Sequence, residues 1–166
     1  MINKINKLSK SEFVEIFANI FEKTKWIAEK LYNQKPFDSF EDLRLKMLEI
    51  FKTASKENQL SILNTHPNLA DKATINSLTT NSRTEQSNVG LDQCSKEEFN
   101  EFKNLNKKYK QKFDFPLIIA VKGKNKIEIL SEFRKRILNS VDEEFNEAII
   151  QVGKIANLRL NEINIK

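Results

Sequence analysis

The sequence predicts an all-α protein, a single-domain helical bundle of about seven to nine helices that spans residues 1–166. Three observations favour this class. The chain contains only 3 Gly and 3 Pro among 166 residues, so residues that interrupt helices and build turns are scarce. Apolar residues recur at steps of three and four, the helical period. Capping boxes, in which a Ser or Asn precedes a Glu by three residues, mark several helix starts.

Composition indicates a core that needs neither disulfides nor metal. Apolar residues make up 39% of the chain and include 12 Phe, and the length suffices to bury them. Cys94 is the only cysteine, which excludes an internal disulfide and favours a reducing, cytoplasmic location. One histidine disfavours a transition-metal site. The first residues contain no apolar signal segment, and no apolar run is long enough to span a bilayer.

The formal net charge of +5 fits a nucleic-acid-binding module or a solvated basic surface. The positive charge comes almost entirely from lysines, which are spread along the chain without a block of five like charges. That distribution favours a solvated surface.

Capping signals and apolar spacing predict the helices before residue 66. Ser9 and Glu12 form a capping box, and the helix that they begin, alone or with a second helix, reaches about Tyr32. Residues 38–54 predict the next helix, and residues 55–64 predict a short one. The apolar residues expected to face the core are Phe13, Ile16, Phe17, Ile20, Phe21, Trp26, Ile27, Leu31, Leu43, Met47, Ile50, Phe51, Ala54, Leu60 and Leu63.

Residues 67–79 predict a loop, and four further helices follow. We expect them at about residues 82–89, 95–113, 125–138 and from 142 almost to the end of the chain. Gly90 is a good residue to follow the first of them. Residues 115–123, FPLIIAVKG, form the only apolar run with β character and have no evident partner strand.

Arg159 lies on the apolar face of the last predicted helix. The residues on that face are Phe145, Ile149, Val152, Ala156, Arg159 and Ile163. A guanidinium placed there needs an anion or several acceptors, because burying it bare is costly. Its planar fork suits a carboxylate, which a ligand or a neighbouring helix could supply. The alternative is an arginine that reaches solvent near the helix end.

His66 is the only imidazole, and it stands in the segment NTHPNL. Pro67 disfavours helical geometry at His66, so the histidine is expected on a bend that can point into a cleft. A free imidazole has a pKa near 6.5 and can act as an acid or a base at neutral pH. The alternative is a histidine that only satisfies backbone groups at the helix end. Glu85, taken alone, is typical of an exposed helix face.

Four segments, in order, resemble the motifs of the OHCU decarboxylases, which act on 2-oxo-4-hydroxy-4-carboxy-5-ureidoimidazoline (OHCU) in urate degradation. They are THPNLADKA (65–73), SRTEQSNVGLD (82–92), FDFPLIIAVKG (113–123) and KIANLRL (154–160). The resemblance extends from Ser9 to about Ile163. It implies an all-helical carboxy-lyase that uses no metal or cofactor and is often a homodimer.

The resemblance also implies a set of functional residues. Its catalytic residues fall on His66, Glu85 and Arg159. Its substrate-binding residues fall on Pro67, Ser82, Arg83, Thr84, Glu85, Gln86, Leu117, Ile118, Ile119, Ala120, Val121 and Arg159. Three departures concern the shape of the pocket: Ala70 stands where many members have Gly, Val89 where Ala is common, and Leu117 where an aromatic residue is usual.

The implied function is the decarboxylation of OHCU to (S)-allantoin and CO₂, downstream of urate oxidase and hydroxyisourate hydrolase, with no nucleic-acid or membrane partner. The carboxylate leaves a carbon next to a C=N bond that can accept the electron pair, so the substrate supplies its own electron sink. We expect His66 to transfer a proton at or near the hydroxyl-bearing carbon and Arg159 to orient the substrate. Glu85 and Gln86 would bind the ureido group, and peptide groups of 117–121 would complete the pocket. The alternatives are a basic helical module that binds nucleic acid and an inactive scaffold of the same family.

Overall fold

The computed structural model of the chain describes residues 1–74 and 77–165, and its all-helical architecture confirms the predicted class. Those residues contain no strand, and none of their helices is long and apolar enough to cross a membrane. In the described residues the helices are α1 (Ile2–Lys7), α2 (Lys10–Phe17), α3 (Lys25–Tyr32), α4 (Phe40–Lys52), α5 (Lys56–Leu63), α6 (Thr80–Asn88), α7 (Lys96–Phe113), α8 (Lys126–Arg136) and α9 (Val141–Asn161).

The described residues divide into two compact units. The first comprises residues 1–65 and 152–165, and the second comprises residues 66–151, so the boundary falls within α9. The single domain expected over residues 1–166 stays a prediction.

The first unit has a core of phenyl rings. Its helix α2 packs on α3, and α3 packs on α4. The Phe13 ring centroid lies 4.6 Å from that of Phe17 and 6.0 Å from that of Phe37, and the Phe21 and Phe51 centroids are 5.0 Å apart. These rings are almost fully buried, which the sequence predicted for all of them except Phe37.

The first unit contains one helix that the sequence did not predict and settles one alternative that the sequence left open. Helix α1 was not predicted. Its Asn6 side chain donates to the carbonyl of Phe37 at 2.8 Å and accepts from the same residue's N–H at 2.9 Å, a contact 31 residues away in sequence. The segment from Ser9 to Tyr32, for which one helix or two were expected, forms two helices, α2 and α3, separated by residues 18–24, where Lys23 adopts a φ of +48°.

In the second unit, the end of α7 determines the path of the apolar run. Asp114 adopts a left-handed φ of +62°, which ends the helix and redirects the chain. Pro116 then disfavours helical geometry at Phe115. Residues 116–121 are buried or half-buried and belong to neither a helix nor a strand, so the β character of this run reflects burial rather than sheet pairing. Two residues of the predicted loop 67–79, Ile75 and Asn76, lie outside the described residues.

A buried polar network lies inside the second unit. The carboxylate of Glu144 on α9 accepts a hydrogen bond from the Tyr109 hydroxyl at 2.5 Å and from Asn139 Nδ2 at 2.9 Å. It also pairs with the guanidinium of Arg136, whose Nε lies 2.7 Å and whose Nη2 lies 2.6 Å from Glu144 Oε1. Because several donors surround Glu144, its charge is compensated although the side chain is fully buried.

Tyr109 should make the free energy of unfolding fall as pH rises in the alkaline range. Burial first, and the hydrogen bond to Glu144 second, raise the pKa of Tyr109 well above the usual tyrosine value. Above about pH 10 an unfolded phenol releases its proton, whereas folded Tyr109 keeps it, so the free energy of unfolding falls as pH rises. Urea titrations of wild type and Tyr109→Phe at pH 8 to 11 should therefore converge as pH rises. Parallel pH profiles would contradict this assignment.

Candidate functional site

His66 lies three residues after the last residue of α5. The Thr65 hydroxyl donates to the carbonyl of Ile62 at 2.7 Å, so a neighbouring side chain satisfies one carbonyl at the end of this helix. His66 lies outside α5 and, like Pro67, is half-buried. The bend that Pro67 predicts is therefore present, and the imidazole is neither a core side chain nor fully exposed.

The loop that follows His66 is fixed by two buried amides. Gln86 Oε1 accepts from the N–H of Ala70 at 3.1 Å, and Gln86 Nε2 donates to the carbonyl of Asn68 at 3.2 Å. Asn106 Nδ2, on α7, donates to the carbonyl of Leu69 at 2.9 Å. Three consecutive residues after Pro67 are thus bonded through their backbone, which limits the movement of the His-Pro bend.

Ala70 has a φ of +51°, in the left-handed region that glycine adopts most readily. A glycine at this position would adopt the same conformation with less strain. The hydrogen bond from the Ala70 N–H to Gln86 helps to hold the residue there.

Helix α6 carries the second predicted segment and has well-defined ends. The Thr79 side chain accepts from the N–H of Ser82 at its start. At its end, Gly90 has a φ of +80° and donates its N–H to Ser87, while the N–H of Leu91 bonds to the carbonyl of Gln86. These two bonds form a Schellman motif, which confirms the role predicted for Gly90.

The helical period divides the predicted binding residues of α6 between two faces. Ser82 and Gln86 are buried and Glu85 is half-buried, whereas Arg83 and Thr84 are exposed. Residues at steps of three and four share a face, so Ser82, Glu85 and Gln86 are placed together. Both ends of the Gln86 amide are engaged by the loop, and the expected contact of Gln86 with the ureido group stays a prediction.

Removing the Gln86 amide should loosen the His-Pro loop. In Gln86→Leu the Ala70 N–H and the Asn68 carbonyl lose their partner, so we expect the free energy of unfolding to drop by about 1–3 kcal/mol. Urea titration measures this loss. Thr84→Ala, an exposed change on the same helix, is the matched stability control and should stay within about 0.5 kcal/mol of wild type. Equal stability of the two variants would contradict the loop-fixing role.

The segment of residues 117–121 is bonded to helices on one side. The guanidinium of Arg136 donates through Nη1 to the carbonyl of Ile118, and the N–H of Ala120 donates to Gln151 Oε1 at 2.9 Å. Leu117, Ile118, Ile119 and Val121 are buried, whereas Ala120 is half-buried. Since their apolar side chains leave only peptide groups for polar contacts, any polar recognition by this segment comes from its backbone.

Arg159 belongs to the first unit and is buried, with 4% of its surface exposed. Its Nη1 donates to the carbonyl of Asn19 at 2.9 Å, and its Nη2 lies 2.9 Å from Glu22 Oε2. Glu22 is 1% exposed. The guanidinium therefore does not reach out to solvent, and one of its partners is a protein carboxylate that the sequence did not point to.

A groove of about 840 Å³ lies along α7, outside the predicted site. It is lined by part of the loop after residue 67 and by one face of α7, including Lys72, Phe99, Lys103, Asn106 and Lys107. The Lys72 ammonium lies 4.0 Å from the centroid of the Phe99 ring. Among the described residues, no three His, Cys, Asp or Glu side chains cluster in a way that could hold a metal ion.

Comparisons with known proteins agree on one family. The sequence model of the family described as OHCU decarboxylase matches residues 6–161. The uric acid degradation bifunctional protein of Bacillus sp. (strain TB-90) is 40% identical over 162 residues, 98% of this chain but 32% of that protein. The 2-oxo-4-hydroxy-4-carboxy-5-ureidoimidazoline decarboxylase of Haloferax volcanii is 35% identical over 161 residues, 97% of this chain and 94% of that protein. The chain thus spans about a third of the first relative and nearly all of the second.

Two solved structures share the fold. The crystal structure of (S)-allantoin synthase aligns with a TM-score of 0.77 at 24% identity, over 97% of this chain and 53% of the other. The crystal structure of OHCU decarboxylase in the presence of (S)-allantoin aligns with a TM-score of 0.69 at 22% identity, over 82% of this chain and 89% of the other.

Proposed function

This chain belongs to the OHCU decarboxylase family, and from that membership we propose that it converts OHCU to (S)-allantoin and CO₂ without a metal or cofactor. The observation that carries the proposal is the bend at His66 and Pro67, whose following loop is bonded to Gln86 on α6. A half-buried imidazole beside a loop that is held by hydrogen bonds is suited to proton transfer, since a general acid or base must be held in one geometry.

The chemistry requires one bond cleavage and three proton movements. When the bond between the carboxylate and carbon 4 of OHCU breaks, its electron pair moves toward the neighbouring C=N, whose nitrogen gains a proton. The 4-hydroxyl then becomes the carbonyl of allantoin and loses its proton, while the ureido-bearing carbon 5 gains one. We propose that His66 carries out proton transfer in this sequence and delivers the proton to one face, which makes the product optically active.

We propose that side chains and peptide groups of the second unit bind the substrate. Glu85 shares a helix face with Ser82, and its carboxylate is suited to accept hydrogen bonds from the ureido N–H groups. Pro67 shapes the bend, and peptide groups of 117–121 bind the polar edge of the ring. For Gln86 we propose a positioning role through the loop of 68–70, beside the substrate contact implied by the family. The contacts that the family implies for Arg83 and Thr84, which are exposed, are proposed as well.

Arg159 is proposed to bind an acceptor group of the substrate through its guanidinium, whose planar fork suits a carboxylate. The contacts to Asn19 and Glu22 described above hold the guanidinium within the first unit. In this proposal Glu22 fixes the orientation of the fork.

The setting of the enzyme is also a proposal. The single Cys94 suits a reducing cytoplasm, and we propose that the protein is a homodimer that acts downstream of urate oxidase and hydroxyisourate hydrolase. The relative named as a uric acid degradation bifunctional protein supports this place in urate degradation. Light scattering of the purified protein tests the dimer.

The proposed reaction is tested by CO₂ release. OHCU is generated from urate with urate oxidase and hydroxyisourate hydrolase, EDTA is included once it is formed, and labelled CO₂ from the carboxylate carbon is collected. We expect this protein to accelerate release strongly over the uncatalysed rate. Release at the uncatalysed rate would exclude the decarboxylase and favour the inactive scaffold.

A further inference from the structure

The backbone of residues 117–121 is held in place by side chains to which no role has been assigned. We propose that Gln151 and Arg136 are positioning residues, which fix the peptide groups of this segment in the orientation that binds the substrate. This inference rests on the proposed function, because the segment matters for catalysis only if its backbone contacts OHCU.

The first observation is the spacing of the bonded groups. The carbonyl of Ile118 accepts from Arg136, and the N–H of Ala120 donates to Gln151. The two contacts anchor the segment to α8 and α9 at residues on either side of Ile119. They leave the peptide groups of Ile119, between them, for a ligand.

The second observation is that both anchoring side chains are themselves held. Gln151 Nε2 donates to Glu147 Oε1 at 2.8 Å, one helical turn earlier on α9. This bond orients the amide, so that its oxygen is directed at Ala120. Arg136 is 3% exposed, and its guanidinium is held by an ion pair with Glu144. The Glu144 carboxylate in turn accepts hydrogen bonds from the side chains of Tyr109 and Asn139. Anchors with fixed rotamers can hold a backbone to the tolerance that catalysis requires.

The third observation is the chemical nature of the segment. Its side chains, from Leu117 to Val121, are all aliphatic, so the segment has no side-chain donor or acceptor of its own. A rotation of one peptide plane would therefore change its only polar groups. An anchor that bonds Ala120 restrains the planes on both sides of that residue, which makes Gln151 a determinant of substrate affinity.

Substitution of Gln151 tests the inference without removing an apolar side chain from the core. In Gln151→Ala the Ala120 N–H loses its acceptor, and we expect kcat/KM for OHCU to fall about 10-fold, mainly through KM, since one orienting hydrogen bond is lost. The allantoin formed should also lose optical purity. Ile150→Ala, an exposed change on the same helix, is the matched control and should stay within about 3-fold of wild type. Glu147→Ala keeps the acceptor of Ala120 but loses the bond that orients it, so its loss in kcat/KM should lie between those of the two other variants.

Exchanging the side chains of residues 147 and 151 distinguishes a positioning role of Gln151 from a purely structural one. In the double variant Glu147→Gln with Gln151→Glu, the new carboxylate can accept from both the Ala120 N–H and the new amide, so both bonds are kept and net charge is unchanged. We expect its KM to return to within about 3-fold of wild type. Thermal unfolding of every variant is recorded in parallel. Arg136→Lys keeps the positive charge beside Glu144 but has no second nitrogen to donate to the Ile118 carbonyl. This variant should remain folded and should have a higher KM.

Two results would overturn the inference while the proposed function stands. One is an active wild type alongside a Gln151→Ala variant with unchanged KM and optical purity. The other is an exchanged variant that is folded yet as impaired as Gln151→Ala. An inactive wild type would instead remove the proposed function, and this inference with it.

Discussion

His66→Ala is expected to lower kcat by about 10² or more, the range for loss of a positioned general acid or base. The fold should persist, because His66 is half-buried and lies outside a helix, so its removal leaves no large cavity. Steady-state rates with enzymatically generated OHCU, measured beside far-UV circular dichroism, test both parts.

His66→Asn is the matched control for proton transfer. Its amide keeps the capacity to donate and accept a hydrogen bond but cannot shuttle a proton at neutral pH. It should therefore be as inactive as His66→Ala. Wild-type activity in His66→Asn would reduce the imidazole to a hydrogen-bonding group, and loss of the fold in both variants would assign it a structural role.

Arg159→Met is expected to destabilise the protein by about 3–5 kcal/mol, because it leaves the buried Glu22 carboxylate without its charge partner. The double variant Glu22→Leu with Arg159→Met removes both charges and should recover most of that stability, since apolar side chains of similar size replace a buried pair well. Urea titration of the three proteins measures these differences.

The double variant separates the two roles of Arg159. If Arg159 binds substrate, the stable double variant remains strongly impaired, and Arg159→Lys is impaired as well because it keeps the charge but loses the fork. A stable double variant with wild-type kcat/KM would make Arg159 purely a structural partner of Glu22.

The parts of the fold that depend on local signals could be predicted from the sequence. The capping boxes at Ser9, Ser95 and Asn125 all form, because a cap is decided within four residues. Helix α1 could not be found, since its bond to Phe37 joins residues 31 positions apart. The break between α2 and α3 has no Gly or Pro to mark it, so the sequence left one helix or two open, and the break contains the left-handed Lys23.

The candidate site shows the same division. Arg159 was identified because a charged residue stood on an apolar helical stripe, and the structure places it in the interior. The same criterion would find Asn106, four residues after Phe102 and three before Tyr109 on α7, and Arg136, three residues after Phe133 on α8. Glu22 gives no such signal, because it lies in an irregular turn where periodicity has no meaning.

The handedness of the product tests the central claim most directly. OHCU is generated from urate in a circular dichroism cell, and this protein is then added. The account predicts rapid appearance of the signal of (S)-allantoin with wild type, and only the slow formation of optically inactive allantoin with His66→Ala. Racemic allantoin formed at the uncatalysed rate in the presence of wild-type protein would contradict it.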